Sequence, residues 1–245
     1  ITARTAHLVL SDSTAINRVL QLPPMSAGER QLFLERELRR EVGGPALVGH
    51  TVMRQIPGPP RKDEALVAAV PGDEANQTLA SLMAAGLRPR LVTTAALSLA
   101  RAAEVLSPSS FDQPAALAHW GWSGLTLMVV DDGAVKFTRE VPHLAVPGLD
   151  AREGFVTEFQ RSIRQYMQTK GRAVASLLIG SVDARFEANL PEVEARLGLP
   201  LVNLNEAVRS LLPEETEERP DLPAGVFILP LGAAALSPKA TANLL

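Results

Sequence analysis

The sequence contains no cysteine, which removes a set of structures from consideration. Disulfide bridges, thiolate zinc sites and cysteine nucleophiles are excluded, while the redox environment of the protein is left open. Long apolar runs are also lacking. The longest mainly apolar stretch, Val226–Leu236, has eleven residues, whereas a membrane-spanning helix needs about 20. No signal-peptide pattern is present, so neither kind of membrane-directed segment is predicted in this sequence.

An excess of basic residues is absent too. Lys and Arg total 24 against 27 Asp and Glu, so the net charge is −3. Nucleic-acid binding usually requires a basic face, and we therefore expect no nucleic-acid partner. Hydrophobic residues make up 46% of the 245 residues and charged residues 21%, as in an ordinary globular protein. This length allows one large domain or two modest lobes.

Metal-binding and serine-hydrolase motifs are missing. The histidines have no metal-ligand spacing such as His-x-x-x-His, so we predict no metal site; they are His7, His50, His119 and His143. Gly121–Gly124 reads GWSG and misses the Gly-x-Ser-x-Gly nucleophile elbow by one position. On a continuous strand, His119 and Ser123 would lie about 13 Å apart, too far for a nucleophile and its base. We therefore predict no catalytic residues.

The first half of the chain alternates strand-like and helix-like segments in the order β-β-α-β-β-α-β-α. Strand patterns at His7–Leu10 and Ala15–Leu22 precede a helix that Ser26 caps and Gly43 ends. The apolar stripe predicted for this helix consists of Leu32, Phe33, Leu38 and Val42. Alternating elements of this kind favour an α/β fold with a mixed sheet.

The second half begins after Ser107–Pro114, a segment rich in serine and proline that is typical of a lobe boundary. Strand patterns at Leu125–Val130 and Val135–Val141 flank Asp131–Gly133, and an Asp-Gly pair between alternating runs predicts a β-hairpin. The helix that follows carries one apolar face, formed by Phe155, Phe159, Ile163 and Tyr166. We expect this face to lie in the core.

Four segments, taken together, resemble the PilM-like family of type IV pilus assembly proteins. Ala15–Glu37 is similar to the family's strand that ends in Leu-Pro-x-Met before an acidic helix, and Glu64–Leu106 to its strand, helix, turn, strand and Ala/Leu-rich helix. Leu125–Pro142 resembles its hairpin, and Leu177–Val202 its later strand, glycine turn, helix and strand. The matches follow one another in the correct order over most of the chain.

The resemblance implies a bacterial, cytoplasmic protein with an actin-like (ribonuclease H-like) fold of two lobes. Residues 1–108 would hold an extra subdomain and the remainder of the first lobe, and 109–245 the second lobe. Because the chain opens at Ile1, we expect the N-terminal part of the first lobe to be missing or reduced. Such proteins bind the cytoplasmic tail of a PilN-like inner-membrane protein and reach the membrane only through partners. The cytoplasmic lobe of GspL-type secretion proteins is the nearest alternative.

Many actin-like proteins also bind ATP between their lobes, using two Asp-x-Gly turns and a Gly-Gly pair. In the family, the first of these turns lies before the segment that corresponds to the start of this chain, so it is absent from this sequence. At the second, His119 stands where the family has aspartate, and imidazole is a poor ligand for Mg²⁺. The cofactor-binding candidates carried over by the resemblance are Gly121, Ser123, Gly124, Gly180 and Ser181. Because Ser181 replaces the second glycine, we predict that nucleotide binding is degenerate or lost; an ATP-binding ATPase is the alternative.

Two tryptophans flank the glycine of this second turn. Trp120 and Trp122 alternate with Gly121, so a continuous strand would place both indoles on the same sheet face. We expect them to form a core wedge between the lobes. The alternative is that they fill the nucleotide cleft or anchor a partner peptide, since exposed tryptophans are common binding hot spots.

Overall fold

The computed structural model describes residues 4–10, 15–142, 151–170, 172–212, 223–236 and 243–244, so that His143 lies outside the described residues. The strands, in chain order, are β1 Thr5–Leu10, β2 Ile16–Leu22, β3 Ala46–Ile56, β4 Lys62–Pro71, β5 Arg88–Thr94, β6 Ala115–Trp120, β7 Gly124–Asp131, β8 Ala134–Pro142, β9 Ser176–Ser181 and β10 Leu201–Asn203. The helices are α1 Ala27–Val42, α2 Gly72–Ala84, α3 Ala95–Leu106, α4 Ala151–Lys170, α5 Ala184–Glu187, α6 Leu190–Leu197, α7 Leu204–Arg209 and α8 Ile228–Ala235, with 3-10 helices at Pro108–Phe111 and Ala224–Phe227.

Helix α1 begins and ends where its sequence predicts. The Ser26 hydroxyl accepts a hydrogen bond from the Glu29 backbone N–H, and the Glu29 carboxylate accepts one from the Ser26 N–H. This reciprocal capping box satisfies backbone donors that the first turn leaves without helical partners. Gly43 ends the helix with a φ of 78°, a left-handed conformation that glycine adopts without strain.

The predicted apolar stripe of α1 is partly wrong. Leu34 and Leu38 are buried, whereas Leu32 is 70% exposed and Phe33 40% exposed. Successive helical residues turn by about 100°, so Leu32 and Leu38 point to different sides of the helix. Leu34 and Leu38 are four residues apart and share the face that packs on the sheet.

The elements from β1 to α3 follow the predicted order β-β-α-β-β-α-β-α. Strands β2, β4 and β3 form an antiparallel sheet in that order, and α1 packs on one of its faces through the cluster around Leu34 and Val67. Strands β1 and β5 pair in parallel. In the three-stranded sheet, β3 pairs only with β4 and is thus an edge strand.

A five-stranded mixed sheet, in the order β10-β9-β6-β7-β8, forms the centre of the second half. Its strands alternate their side chains between two cores. On one face Leu117 and Met128 pack with α3, α7 and α8, and on the other Leu127 and Ile179 pack with α4 and α6. The predicted apolar face of α4 lies in this second core, where Phe155, Phe159 and Tyr166 are buried and Ile163 is partly buried.

The hairpin between β7 and β8 turns through Asp132 and Gly133, as predicted. Both residues have positive φ, 55° and 66°, which is the conformation of a type I′ turn and explains the Asp-Gly pair. Among the helices of the described residues, none is long and apolar enough to cross a membrane. The lobe boundary after residue 108 stays a prediction.

Candidate functional site

The residues predicted to contact a nucleotide meet at one end of the five-stranded sheet, where the neighbouring inner strands β6 and β9 both end. Strands β6 and β9 run in parallel, with Trp120 opposite Ser181 and His119 opposite Gly180. After Trp120 the chain makes a tight turn, in which the Gly121 N–H donates to the Gly124 carbonyl at 2.9 Å. The sequence resemblance thus identified residues that lie together in space.

In this turn Gly121 and Gly124 are buried and Ser123 is exposed. A Cβ atom on Gly121 would lie 3.3 Å from two atoms of the His119 ring. The imidazole therefore lies directly against the backbone of the turn. The family resemblance implies that a phosphate approaches the backbone N–H groups of this turn. In this structure the His119 side chain lies there.

The chain itself also packs tightly on Gly180 and Ser181. A Cβ added to Gly180 would lie 2.0 Å from Cδ1 of Ile228, the first residue of α8. A Cβ added to Gly225 would lie 1.8 Å from the Ser181 carbonyl oxygen. The Ser181 oxygen is a backbone atom and cannot turn away, so this packing requires glycine at position 225, whereas Cδ1 of Ile228 is the end of a flexible side chain that can move.

Asn205 fixes the end of β9, and sequence reasoning missed it. Its side-chain oxygen accepts from the Ser181 N–H at 3.0 Å, and its Nδ2 donates to the Ser181 carbonyl at 2.8 Å. The same Nδ2 donates to the Glu187 carboxylate at 2.6 Å. Since Asn205 is fully buried, these bonds satisfy polar groups that would otherwise be costly to bury.

His119 is 4% exposed and forms a hydrogen bond with the backbone of Gly225. Burial disfavours the charged imidazolium and lowers the pKa of His119 to about 4, against the opposing effect of this bond. The ring is therefore neutral at pH 7. The position at which the resemblance implies a carboxylate holds a buried, uncharged group bonded to the C-terminal segment.

Stability is expected to fall as the pH is lowered from 6.5 towards 4. Burial also lowers the pKa of His50 to about 4, so in this range both histidines bind protons in the unfolded chain but not in the folded one. Each shift corresponds to at most about 3 kcal/mol, lost progressively over this window. Urea unfolding between pH 4 and 7 measures the loss. His119→Asn, whose amide can still reach Gly225, should flatten the curve; an unchanged slope would contradict the assignment.

The two tryptophans do not share a sheet face. Strand β6 ends at Trp120, so the expectation of a continuous strand from His119 to Ser123 is wrong. Trp120 stacks on Phe186 with ring centroids 4.8 Å apart and belongs to the core of the five-stranded sheet. Trp122 lies in the turn and is 75% exposed. The predicted wedge between lobes is thus also wrong, because the turn directs the two indoles differently.

A groove of about 810 Å³ lies beside β3, and none of the residues predicted to contact a nucleotide lines it. We call it the β3 groove; its lining residues are Arg30, Thr51, Val52, Met53, Leu66, Leu97, Ala100, Arg101, Glu104, Phe111, Val130, Gly133, Val135, Ala235 and Leu236. Most of these are apolar. No sequence motif indicates this groove, because β3, α3, the β7–β8 hairpin and α8 come together only in the folded chain.

The charged residues of the β3 groove are compensated within the protein. Arg30 donates to Asp63 at 2.8 Å, and Arg101 donates to Glu104 at 2.6 Å. The groove therefore presents an apolar surface without a net charge at its rim. Such a surface suits a ligand with apolar side chains better than a phosphate or a carboxylate. Among the described residues, no cluster of three or more His, Asp or Glu side chains could hold a metal ion.

No protein-family model and no curated protein sequence matches the chain. Solved structures do. A "PilM-PilN type IV pilus biogenesis complex" matches 96% of this chain and 80% of its own chain, with a TM-score of 0.74 and 16% identity. A Bacteroides thetaiotaomicron protein with an actin-like ATPase fold and unknown function matches 82% of this chain and 68% of its own, with a TM-score of 0.51 and 8% identity.

The cytoplasmic domain of EpsL, an inner membrane component of the type II secretion system of Vibrio cholerae, covers 74% of this chain and 63% of its own. Its TM-score is 0.44 and its identity 15%, too weak a likeness for an inference. The resemblance seen in the sequence is thus met by the structure at the level of the fold. The chain has the actin-like α/β fold, and it shares that fold with a chain of a PilM-PilN type IV pilus biogenesis complex.

Proposed function

We propose that the protein is a non-catalytic scaffold of a type IV pilus or related secretion assembly. It binds the cytoplasmic tail of a PilN-like inner-membrane protein in the β3 groove, and it is held at the cytoplasmic face of the inner membrane by that partner. The observation that carries the proposal is the groove itself, present on a fold shared with a PilM-PilN complex.

The size and chemistry of the groove support a peptide as its ligand. Its volume of about 810 Å³ is in the range of sites that enclose a drug-sized molecule, which corresponds to a few side chains of a peptide. Leu66 and Leu97 form part of its floor and are almost fully buried, while Phe111 and Leu236 are partly exposed. Burying these partly exposed side chains under apolar peptide side chains stabilises the complex.

The end of the sheet at Gly180 supports the non-catalytic part of the proposal. Bound triphosphate requires backbone N–H groups that face the anion and oxygen ligands for Mg²⁺. Here Ile228 occupies the space above Gly180, and His119 is neutral at the family's aspartate position. These groups favour a docking role over ATP hydrolysis.

A synthetic peptide with the sequence of the PilN-like protein's cytoplasmic tail, labelled with fluorescein, is expected to bind the wild-type chain. Ala100→Trp places an indole in the groove and should weaken binding at least tenfold, because it competes for the same volume. Ala84→Trp, on the exposed side of α2, is the matched control and should leave the affinity unchanged. Fluorescence anisotropy measures binding, and thermal melts verify that both variants fold.

Two results would count against the proposed function. Failure of the wild-type chain to bind the tail at high micromolar concentration would remove the partner. Micromolar, Mg²⁺-dependent ATP binding, measured by calorimetry, would instead favour the ATPase alternative. The observation that favours this second function is that the turn at Gly121 and the end of β9 at Gly180 lie side by side.

A further inference from the structure

The β3 groove runs along a strand edge. In the three-stranded sheet β3 pairs with β4 on one side only. Thr51, Val52 and Met53 follow one another along β3, and all three line the groove. Consecutive strand residues point to opposite faces of a sheet, so a groove that contacts all three reaches the edge of β3 as well as the sheet face that carries Leu66.

The direction of the backbone groups along this edge follows from the first bond between β3 and β4. The Gly72 N–H donates to the Pro45 carbonyl at 2.8 Å, which makes Ala46 and Pro71 a pair without hydrogen bonds between them. Two residues further along, the Val48 carbonyl is likewise directed away from β4, and it accepts from the Gln31 amide at 3.0 Å. In an antiparallel pair, alternate residues turn both N–H and C=O towards the partner strand or away from it. Val52 lies four residues further along and before the irregularity between Val52 and Arg54. Its N–H and C=O are therefore directed away from β4, towards the groove.

The opposite wall carries a second backbone donor with a weak acceptor. The Val135 N–H, on the edge strand β8, donates to the Met53 sulfur at 3.1 Å. A thioether is a poor hydrogen-bond acceptor, and a peptide carbonyl is a far better one. The groove thus offers main-chain hydrogen bonds on both of its walls, besides its apolar floor.

We propose that the groove binds its peptide as an added β-strand, paired to β3 at Val52. This inference rests on the proposed function and specifies the conformation and chemistry of the tail. The seated segment is extended, and alternate apolar side chains point to the floor around Leu97. The seated residues carry no charge, because Arg30 and Arg101 already have carboxylate partners.

An extended ligand fits this site better than a helical one. A helix satisfies its own backbone groups and would cover the Val52 N–H and C=O without bonding to them. Polar groups buried without partners are costly. An added strand pairs with them and also covers an exposed sheet edge, which is otherwise prone to unwanted pairing.

Backbone ester substitution of the tail peptide tests the inference on the wild-type protein. Replacing one amide at a time with an ester removes a single N–H donor and leaves the side chains in place. Along the seated segment the loss of affinity is expected to alternate with a period of two residues, reaching about tenfold at amides that pair with β3. Uniform losses, or losses with a period of three to four residues, would overturn the added-strand geometry.

A variant of the protein tests the same bonds from the other side. Val52→Pro removes the edge N–H, and proline is tolerated at strand edges, so binding should fall at least tenfold. Val52→Thr keeps the β-branched shape and the N–H, and it should therefore bind the tail at least fivefold more tightly than Val52→Pro. Should Val52→Pro fail to fold, as judged by its melting curve, the ester series still decides the question.

The outcomes separate this inference from the proposed function. If the wild-type chain does not bind the tail at all, the proposed function fails. If it binds the tail, and the ester series and Val52→Pro have no selective effect, the groove remains the binding site but the added strand is wrong. Slowed hydrogen exchange of the Val52 amide on addition of the tail would support pairing; unchanged exchange would contradict it.

Discussion

Replacing Gly232 with alanine is expected to destabilise the protein by about 3 kcal/mol or more. Gly232 lies in α8, where a Cβ would stand 1.9 Å from the Ser98 carbonyl oxygen and 2.7 Å from its carbon. Those atoms are backbone of α3 and cannot turn away as the end of a side chain could. To accept the methyl group, α3 and α8 must move apart, which opens the core that they share around Ala102 and Ile228.

Gly28→Ala provides the matched control for this substitution. Gly28 lies in the first turn of α1, and a Cβ there meets no atom within 4 Å. Because alanine favours the helix over glycine, we expect this variant to be about 0.5 kcal/mol more stable than the wild type. Urea unfolding at pH 7 compares the two. A loss of less than about 1 kcal/mol for Gly232→Ala would mean that the helices adjust freely and that the close contact is unimportant.

Local rules of sequence predicted the elements whose ends they control. Helix α1 begins after Ser26 and ends at Gly43, because the serine hydroxyl and a glycine in the left-handed conformation satisfy backbone groups within a few residues. Asp132 and Gly133 make the hairpin because both adopt positive φ. The order of such segments predicted an α/β fold with a mixed sheet, the resemblance to the PilM-like family implied that it is actin-like, and the solved structures confirm this fold.

The errors concern features that local patterns do not determine. The continuation of a strand beyond Trp120 was wrong because the turn at Gly121 depends on its bond to Gly124 and on the neighbouring His119 ring. Leu32 was included in the apolar stripe of α1 because it is apolar, although its helical angle places it on another side of the helix. Apolar character alone does not decide burial, since a large share of any protein surface is apolar.

The candidate site was predictable only in part. The resemblance selected Gly121 and Gly180, which the structure brings to one end of the sheet. It did not indicate that Gly225 and Ile228, far along the chain, pack against that end. The β3 groove had no sequence signal at all. Pockets that form between distant elements depend on tertiary packing, and no spacing of residues in one segment encodes them.

Replacing Glu64 with glutamine is expected to cost about 3 kcal/mol of stability, because it breaks a buried ion pair from one side. The Glu64 carboxylate, on β4, is 3% exposed and binds both the Lys136 ammonium on β8 and, at 2.7 Å, the Arg54 guanidinium. The Lys136 side chain is only 6% exposed. Without the carboxylate this cation stays buried and uncompensated, whereas Arg54 keeps Asp132 as a partner.

Two comparisons make the prediction specific to burial. Glu104→Gln breaks an exposed pair with Arg101 on α3 and should cost no more than about 1 kcal/mol. The double substitution Glu64→Leu with Lys136→Met removes both buried charges, and it should recover most of the stability lost in Glu64→Gln. Urea unfolding measures all three. Since Glu64 and Lys136 join the three-stranded sheet to the strand that carries Val135, the Glu64→Gln variant should also bind the tail peptide more weakly. Equal stability losses for Glu64→Gln and Glu104→Gln would show that the pair does not hold the two sheets together.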